Sequence, residues 1–223
     1  MDLIIFDNDG TLSDSERMNC TVTSDILVSY GFEKYTPDYT MKHLAGMSMP
    51  IVKEMLEEEY QTTLPDNFIQ EFIDRVTEQI PLQLQPVTGA VEAVKKLSAS
   101  FKICVASNGE PENVEACIET IGLMPIFGRD KVYTKSLVSR GKPSPELFLY
   151  AANRMNAVPE RTFVIEDTVS GVRAGVAAGM HVLGITAVSH HPQETREQLL
   201  SLGAKRVFVS WSEITDYIKS ACG

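Results

Sequence analysis

Leu3-Ile4-Ile5-Phe6-Asp7-Asn8-Asp9-Gly10-Thr11-Leu12 is the stretch that decides the fold. Four consecutive apolar residues without a polar face describe a strand covered on both sides, the kind found in parallel sheets. Asp9-Gly10-Thr11 is a turn signal, so the strand ends abruptly and two carboxylates, Asp7 and Asp9, stand at its end.

Beyond this turn the rhythm of the chain changes. Met18, Val22, Ile26 and Tyr30 recur every fourth residue, and Gly31 marks a helix stop. Ser48 with Pro50 fits a second helix start, with Ile51, Val52, Met55, Leu56 and Tyr60 as its buried stripe. Pro65-Asp66 opens a third, carrying Phe68, Ile69, Phe72, Ile73, Val76 and Ile80 on one face. Pro81 and Pro86 are expected to close the segment. From Val87 onward short apolar runs (103–106, 132–133, 163–165, 182–185 and 207–209) alternate with helical segments near 91–97, 114–121, 145–154, 172–178, 195–202 and 214–220. Strand and helix in alternation imply an α/β domain with a parallel sheet and helices on both faces. The helical block is then an insertion: residues 1–15 and 87–223 form a discontinuous sheet domain, and residues 16–86 a helical one.

Size and composition agree. The 223 residues are 43% hydrophobic, enough for a core without cross-links, and carry a formal charge of −10 from 30 acidic and 20 basic side chains. That balance argues against nucleic acid, which demands clustered Lys and Arg. Cys20, Cys104, Cys117 and Cys222 are scattered, without the spacing of a zinc site or a disulfide framework, and fit a reducing compartment. Without a signal-like leader or an apolar run of spanning length, the expectation is a cytoplasmic, monomeric protein that engages no membrane.

Four polar clusters stand where apolar runs stop: Asp7 with Asp9, Ser107-Asn108-Gly109, Lys142-Pro143 and Glu166-Asp167. Ligands of open parallel sheets bind outside the carboxyl ends of the strands, where all four would meet. Singly, each has a plain structural explanation as a turn, a helix cap or a solvated charge. Together they place four carboxylates side by side, a cluster that needs a hard cation such as Mg2+ to stay ionised. Lys142, Ser107 and the Asn108 backbone N–H would face a phosphate.

Phe6-Asp7-Asn8-Asp9-Gly10-Thr11-Leu12, Ala106-Ser107-Asn108, Gly141-Lys142-Pro143-Ser144-Pro145 and Ile165-Glu166-Asp167-Thr168, the last followed by Gly171 and Ala177-Ala178-Gly179-Met180, resemble in order the four motifs of the haloacid dehalogenase-like hydrolases. The resemblance implies a Rossmann-like core with an inserted helical cap. It makes Asp7 the phosphoryl-accepting nucleophile and Asp9 the acid and base. It gives Mg2+ to Asp7, the Asp9 carbonyl and Asp167, with Glu166 as a direct or water-mediated partner. Ser107, Asn108 and Lys142 become the phosphate grip. Asn8 and Glu146 depart from the family pattern, which favours an apolar residue and Asp there, without removing a catalytic group.

The same resemblance sorts the chemistry. Asp9 disfavours dehalogenation, which does not need a second aspartate. Gly46-Met47-Ser48-Met49 lacks the Schiff-base lysine of phosphonoacetaldehyde-type hydrolases, and intact Asp7 and Asp167 disfavour a silent binding module. A small phosphorylated metabolite is the expected substrate, and Ser107-Asn108-Gly109-Glu110-Pro111 is similar to a loop of phosphatases acting on 6-phosphogluconate and related sugar phosphates. The rival is a β-phosphoglucomutase-like sugar phosphomutase. Such mutases grip a second phosphate with an arginine and a histidine where this chain has Met49 and Asn19. His43, His190-His191 and Trp211 have no partner identifiable from sequence. Gly171, Gly175 and Gly179 are expected to allow close helix packing.

Overall fold

A computed structural model of the chain describes residues 1–45, 47 and 49–222. In chain order the elements are β1 (Leu3–Phe6), β2 (Ser13–Asp14), α1 (Ser15–Ser29), α2 (Pro37–His43), α3 (Met49–Tyr60), α4 (Phe68–Gln83), β3 (Gln85–Pro86), α5 (Ala90–Ser98), β4 (Lys102–Ser107), α6 (Pro111–Thr120), α7 (Met124–Phe127), β5 (Val132–Thr134), α8 (Glu146–Arg154), β6 (Thr162–Glu166), α9 (Val169–Ala177), β7 (His181–Ile185), α10 (Pro192–Ser201), β8 (Arg206–Phe208) and α11 (Trp211–Cys222). They divide into two compact units, residues 1–14 with 85–223, and residues 15–84.

The first unit is an α/β domain of Rossmann-like type on a six-stranded sheet in the order β5-β4-β1-β6-β7-β8. Every pairing in it is parallel. β1 sits inside, flanked by β4 and β6, and Leu3, Ile4, Ile5 and Phe6 are all fully buried. That explains its unbroken apolar run, each side chain adding about 1.5–3 kcal/mol by burial. Alternation along the strand sends Leu3 and Ile5 to a core shared with Leu147, Phe148 and Ala151 of α8, Val172 of α9 and Leu199 of α10. Phe6, on the other face, meets Phe127 of α7 and Trp211 of α11, each with ring centroids 5.8 Å away. The chain builds outward from β1 through β4 to β5, then crosses back to β6. This reversal places the carboxyl ends of β1, β4 and β6 together.

The second unit is helical. Thr40 of α2 donates to the Cys20 carbonyl of α1 at 2.9 Å, and Tyr30 donates to Glu71 of α4 at 2.8 Å. Val22, Ile26, Leu56, Phe68 and Ile80 lie in its interior.

Several expectations need correction. Helix α2 carries a start signal that the periodicity of its neighbours obscures: Thr36 caps it, accepting from the Tyr39 N–H at 3.3 Å, and Pro37 opens it. Pro81 does not stop α4, which continues to Gln83. Leu84 N–H closes the last turn on the Ile80 carbonyl, and a proline this close to a helix end disturbs little beyond its own missing donor. In α3 the buried residues are Met49, Val52 and Leu56, while Ile51 and Tyr60 are exposed. Spacings of three and four define one narrow stripe, and Ile51 falls off it. Tyr60 falls on it but is the last residue of the helix, where its ring centroid lies 4.8 Å from that of Phe32 and the side chain stays partly open to solvent. The expected start at Ser48 lies outside the described residues. A Cβ on Gly179 would meet nothing within 4 Å, so close packing does not require this glycine; its φ of +74° ends α9 with a left-handed turn, closed by Met180 N–H on the Gly175 carbonyl at 3.0 Å. Gly175 does meet the sheet, where a Cβ would stand 2.5 Å from Val182 Cγ2. The pair β2–β3 is antiparallel and only two residues long per strand, too short for any periodic signal.

Cys20, Cys104 and Cys117 are buried free thiols, and Cys222 is exposed. No helix among the described residues is long and apolar enough to cross a membrane.

Candidate active site

Asp7 follows β1 directly, and its N–H donates to the Ile165 carbonyl of β6 at 3.0 Å. The backbone then turns on Asn8, whose carbonyl accepts from the N–H groups of Thr11, Leu12 and Ser13 at 2.8–3.3 Å. Gly10 takes φ +74°, and a Cβ there would overlap the Asp167 carboxylate. A glycine is required on both counts. The Thr11 hydroxyl donates to Asp167 Oδ1 at 3.0 Å. Turn chemistry and β6 chemistry are thereby joined.

Lys142 is the centre of the site. Its ammonium is buried, 2.6 Å from Asp7 Oδ1, 2.8 Å from Glu166 Oε1 and 4.8 Å from the centre of the Phe148 ring. The loop that delivers it is clamped by Asn108, whose amide accepts from the Lys142 N–H at 2.8 Å and donates to the Lys142 carbonyl at 2.9 Å. The Asn108 side chain is thus committed to the lysine, leaving only its backbone for a phosphate. Ser107 Oγ accepts from the Gly109 N–H at 3.0 Å and keeps its own proton to donate. A Cβ on Gly109 would stand 3.3 Å from Ser107 Oγ and 3.8 Å from Asp9 Oδ2. Asp9 therefore reaches over the same loop as Ser107.

Glu166 is fully buried, with both oxygens engaged. Oε1 accepts from Lys142; Oε2 accepts from the N–H of Asp167 at 3.0 Å, the N–H of Thr168 at 2.9 Å and the Thr168 hydroxyl at 2.8 Å. Sequence reasoning missed Thr168, Thr11 and the Asn108 clamp; only Thr168, a threonine at a helix start, carried a local signal, and it caps α9 through the Gly171 N–H. Gly171 faces Glu166 so closely that a Cβ would overlap the carboxyl group. Gly→Ala within a helix ordinarily stabilises by about 0.5–1 kcal/mol. Gly171→Ala is expected to reverse that sign, destabilising by about 2–3 kcal/mol as a buried carboxylate is pushed off its donors. Urea denaturation checks it, and an unchanged or raised midpoint would contradict the packing described.

Asp7, Glu166 and Asp167 each present a carboxylate oxygen within 4.8 Å of the others, against the one Lys142 ammonium. Like charges at that spacing repel by about 3–4 kcal/mol per pair at an effective dielectric of 20. Burial pushes the Asp7 carboxyl up to about 8, with Lys142 pulling it down and Glu166 and Asp9 pushing it higher. Burial, then the charges of Glu166 and Asp7, hold Asp167 well above the carboxylate range. Burial works against the Lys142 ammonium, but Asp7 and Glu166 outweigh it and keep the lysine above its usual range. Three hard oxygen donors with one cation too few match a small divalent ion, whose charge would replace the protons these groups otherwise hold.

Comparison with known proteins fits this arrangement. Residues 4–185 match the family model described as haloacid dehalogenase-like hydrolase. The chain is 30% identical over 224 residues to a phosphorylated carbohydrates phosphatase of Thermotoga maritima, covering 98% of this chain and 99% of the relative. It is 26% identical over 201 residues to the 6-phosphogluconate phosphatase of Escherichia coli K12, covering 87% of this chain and 89% of that one. Among solved structures, a haloacid dehalogenase family hydrolase from Deinococcus radiodurans with bound phosphate and sodium superposes with a TM-score of 0.83 at 29% identity, covering 99% of this chain and 96% of that one. A Thermotoga maritima protein assigned as a β-phosphoglucomutase gives 0.80 at 25% identity, covering 99% of each chain. The chain belongs to the haloacid dehalogenase-like hydrolases. Within them it is an enzyme of the phosphatase class.

Proposed function

We propose that the protein is a Mg2+-dependent phosphatase that hydrolyses a small phosphorylated sugar or sugar acid through an aspartyl-phosphate on Asp7. The observation that carries this reading is the grouping of Asp7, Glu166 and Asp167 around one buried lysine at the carboxyl edge of the sheet.

Asp7 and Asp167, with the Asp9 backbone carbonyl, would hold the ion. Glu166, its oxygens already engaged, would act through Lys142 and ordered water. A divalent cation there neutralises charge on the phosphoryl oxygens. A carboxylate oxygen of Asp7 attacks phosphorus, the bond from phosphorus to the ester oxygen breaks, and Asp9 gives that oxygen its proton. Asp9, now ionised, takes a proton from water; the water oxygen attacks phosphorus, the bond to Asp7 breaks, and inorganic phosphate leaves. Lys142, Ser107 and the Asn108 N–H hold the phosphoryl oxygens, and most of the acceleration is charge stabilisation and positioning. The substrate class rests on the names of the two phosphatase relatives and on the Ser107–Pro111 loop.

The test is phosphate release from p-nitrophenyl phosphate and a panel of phosphorylated sugars, before and after EDTA. Activity is expected to vanish with EDTA and return with Mg2+. Mg2+ at a hundredfold excess over Kd is expected to add about 2.7 kcal/mol, or about 5–10 °C in melting temperature. Full activity in metal-free protein would contradict the reading. The β-phosphoglucomutase likeness supports a second reading, phosphoryl transfer between sugar hydroxyls. Glucose 6-phosphate formed from glucose 1-phosphate faster than free phosphate, with glucose 1,6-bisphosphate present, would favour it.

A further inference from the structure

Trp211 is the single tryptophan of the chain, and it is buried. A buried indole N–H needs an acceptor. This one, on the first residue of α11, donates to the Thr11 carbonyl at 3.1 Å, a partner 200 residues away in sequence. Its ring also packs beside Phe6, whose next neighbour in the chain is Asp7. Trp211 therefore touches the turn that carries the two aspartates at both ends.

Thr11 is fully buried and tethered three ways. Its N–H donates to the Asn8 carbonyl at 3.3 Å, its carbonyl accepts from Trp211, and its hydroxyl donates to Asp167 Oδ1 at 3.0 Å. Threonine is stiff about χ1, so fixing the backbone of Thr11 also fixes where its hydroxyl points. The hydroxyl bond in turn chooses which Asp167 oxygen is engaged and which remains for another partner. On the far side of the turn, Val87 N–H holds the Leu12 carbonyl at 2.9 Å, so the bond from Trp211 completes a pair of anchors.

We infer that Trp211 is a positioning residue for the Asp167 carboxylate, acting through Thr11 from the C-terminal helix. The inference rests on the reading of Asp167 as a carboxylate that holds the divalent cation. It assigns to α11 a role in metal affinity, although that helix supplies none of the three clustered carboxylates.

Isothermal titration with Mg2+ tests it on wild type, Trp211→Phe, Thr11→Val and the double variant. Phenylalanine keeps an aromatic ring beside Phe6 but removes the donor together with part of the buried indole, whereas Thr11→Val removes the hydroxyl at nearly constant volume. Each single change is expected to weaken Mg2+ binding about tenfold. Because both cut the same chain of contacts, the double variant is expected to lose about tenfold again in total, not about a hundredfold. Unchanged affinity in Trp211→Phe, or additive losses, would overturn the inference while leaving the phosphatase reading intact. A wild-type protein that binds no Mg2+ would overturn both. Should Trp211→Phe fail to fold, the lone indole resonance in the ¹H–¹⁵N spectrum of wild type decides. It is expected to move as Mg2+ saturates the protein and to stay fixed in Asp167→Asn; no movement at Mg2+ concentrations that saturate wild type by heat would refute the connection.

Discussion

Asp7→Asn is expected to lower turnover by roughly ten-thousandfold or more while the protein stays folded. An amide has the shape of the carboxylate but cannot accept a phosphoryl group at a useful rate. It still offers Lys142 an oxygen where Asp7 Oδ1 now lies at 2.6 Å, and Glu166 remains as the ionic partner of the lysine. Since burial already works against an ionised Asp7, replacing it costs little in stability. Hydrolysis of p-nitrophenyl phosphate, with a melting curve by circular dichroism, separates the two properties. A variant that melts like wild type and turns over like wild type would remove Asp7 from the mechanism.

Lys142→Met is expected to damage activity and stability together. The lysine is the one cation placed on both Asp7 and Glu166, and it would also meet the phosphoryl oxygens. Its loss is expected to cost about a thousandfold in kcat/KM, about 4 kcal/mol of transition-state stabilisation. In metal-free protein at pH 8 it also leaves buried carboxylates without a counter-charge, a loss of about 3 kcal/mol. The sign of the pH dependence follows from Asp7. Its carboxyl, ordinarily near 3.8, is raised to about 8 even with Lys142 present, and removing the lysine takes away the influence that lowers it. A carboxyl with a raised folded-state pKa contributes stability that is complete below its ordinary value and is lost as pH rises through the raised one. The gap between Lys142→Met and wild type is therefore expected to widen from pH 5 to pH 8 and to be smallest in acid. Urea titrations across that range measure it; a gap that narrows with rising pH would contradict the charge balance described.

The placement of the site was readable from the chain because it depends on where strands end. β1, β4 and β6 stop at Asp7, Ser107 and Glu166, and the parallel sheet assembles those ends whatever their side chains do. The family motifs added Lys142, which no strand carries. What the sequence did not disclose are bonds between residues far apart in the chain with no spacing rule to join them. Thr11 with Asp167, Asn108 with the Lys142 peptide and Trp211 with Thr11 are all of this kind. In the helical unit the errors have a different origin. Ile51 is apolar but lies off the stripe that Met49, Val52 and Leu56 define, and Tyr60, on the stripe by spacing, ends the helix and stays exposed; apolar residues on a surface are ordinary.

A covalent role for Asp7 is tested most directly by mixing excess enzyme with a preferred phosphomonoester and Mg2+, then quenching over time with borohydride. Reduction converts an aspartyl-phosphate to homoserine, and the tryptic peptide Met1–Arg17 contains both Asp7 and Asp9 for fragmentation mass spectrometry. Homoserine is expected at residue 7 alone, rising and falling as phosphate appears, and absent without Mg2+. Homoserine at another aspartate, or complete phosphate release with none at any quench time, would contradict the aspartyl-phosphate on Asp7.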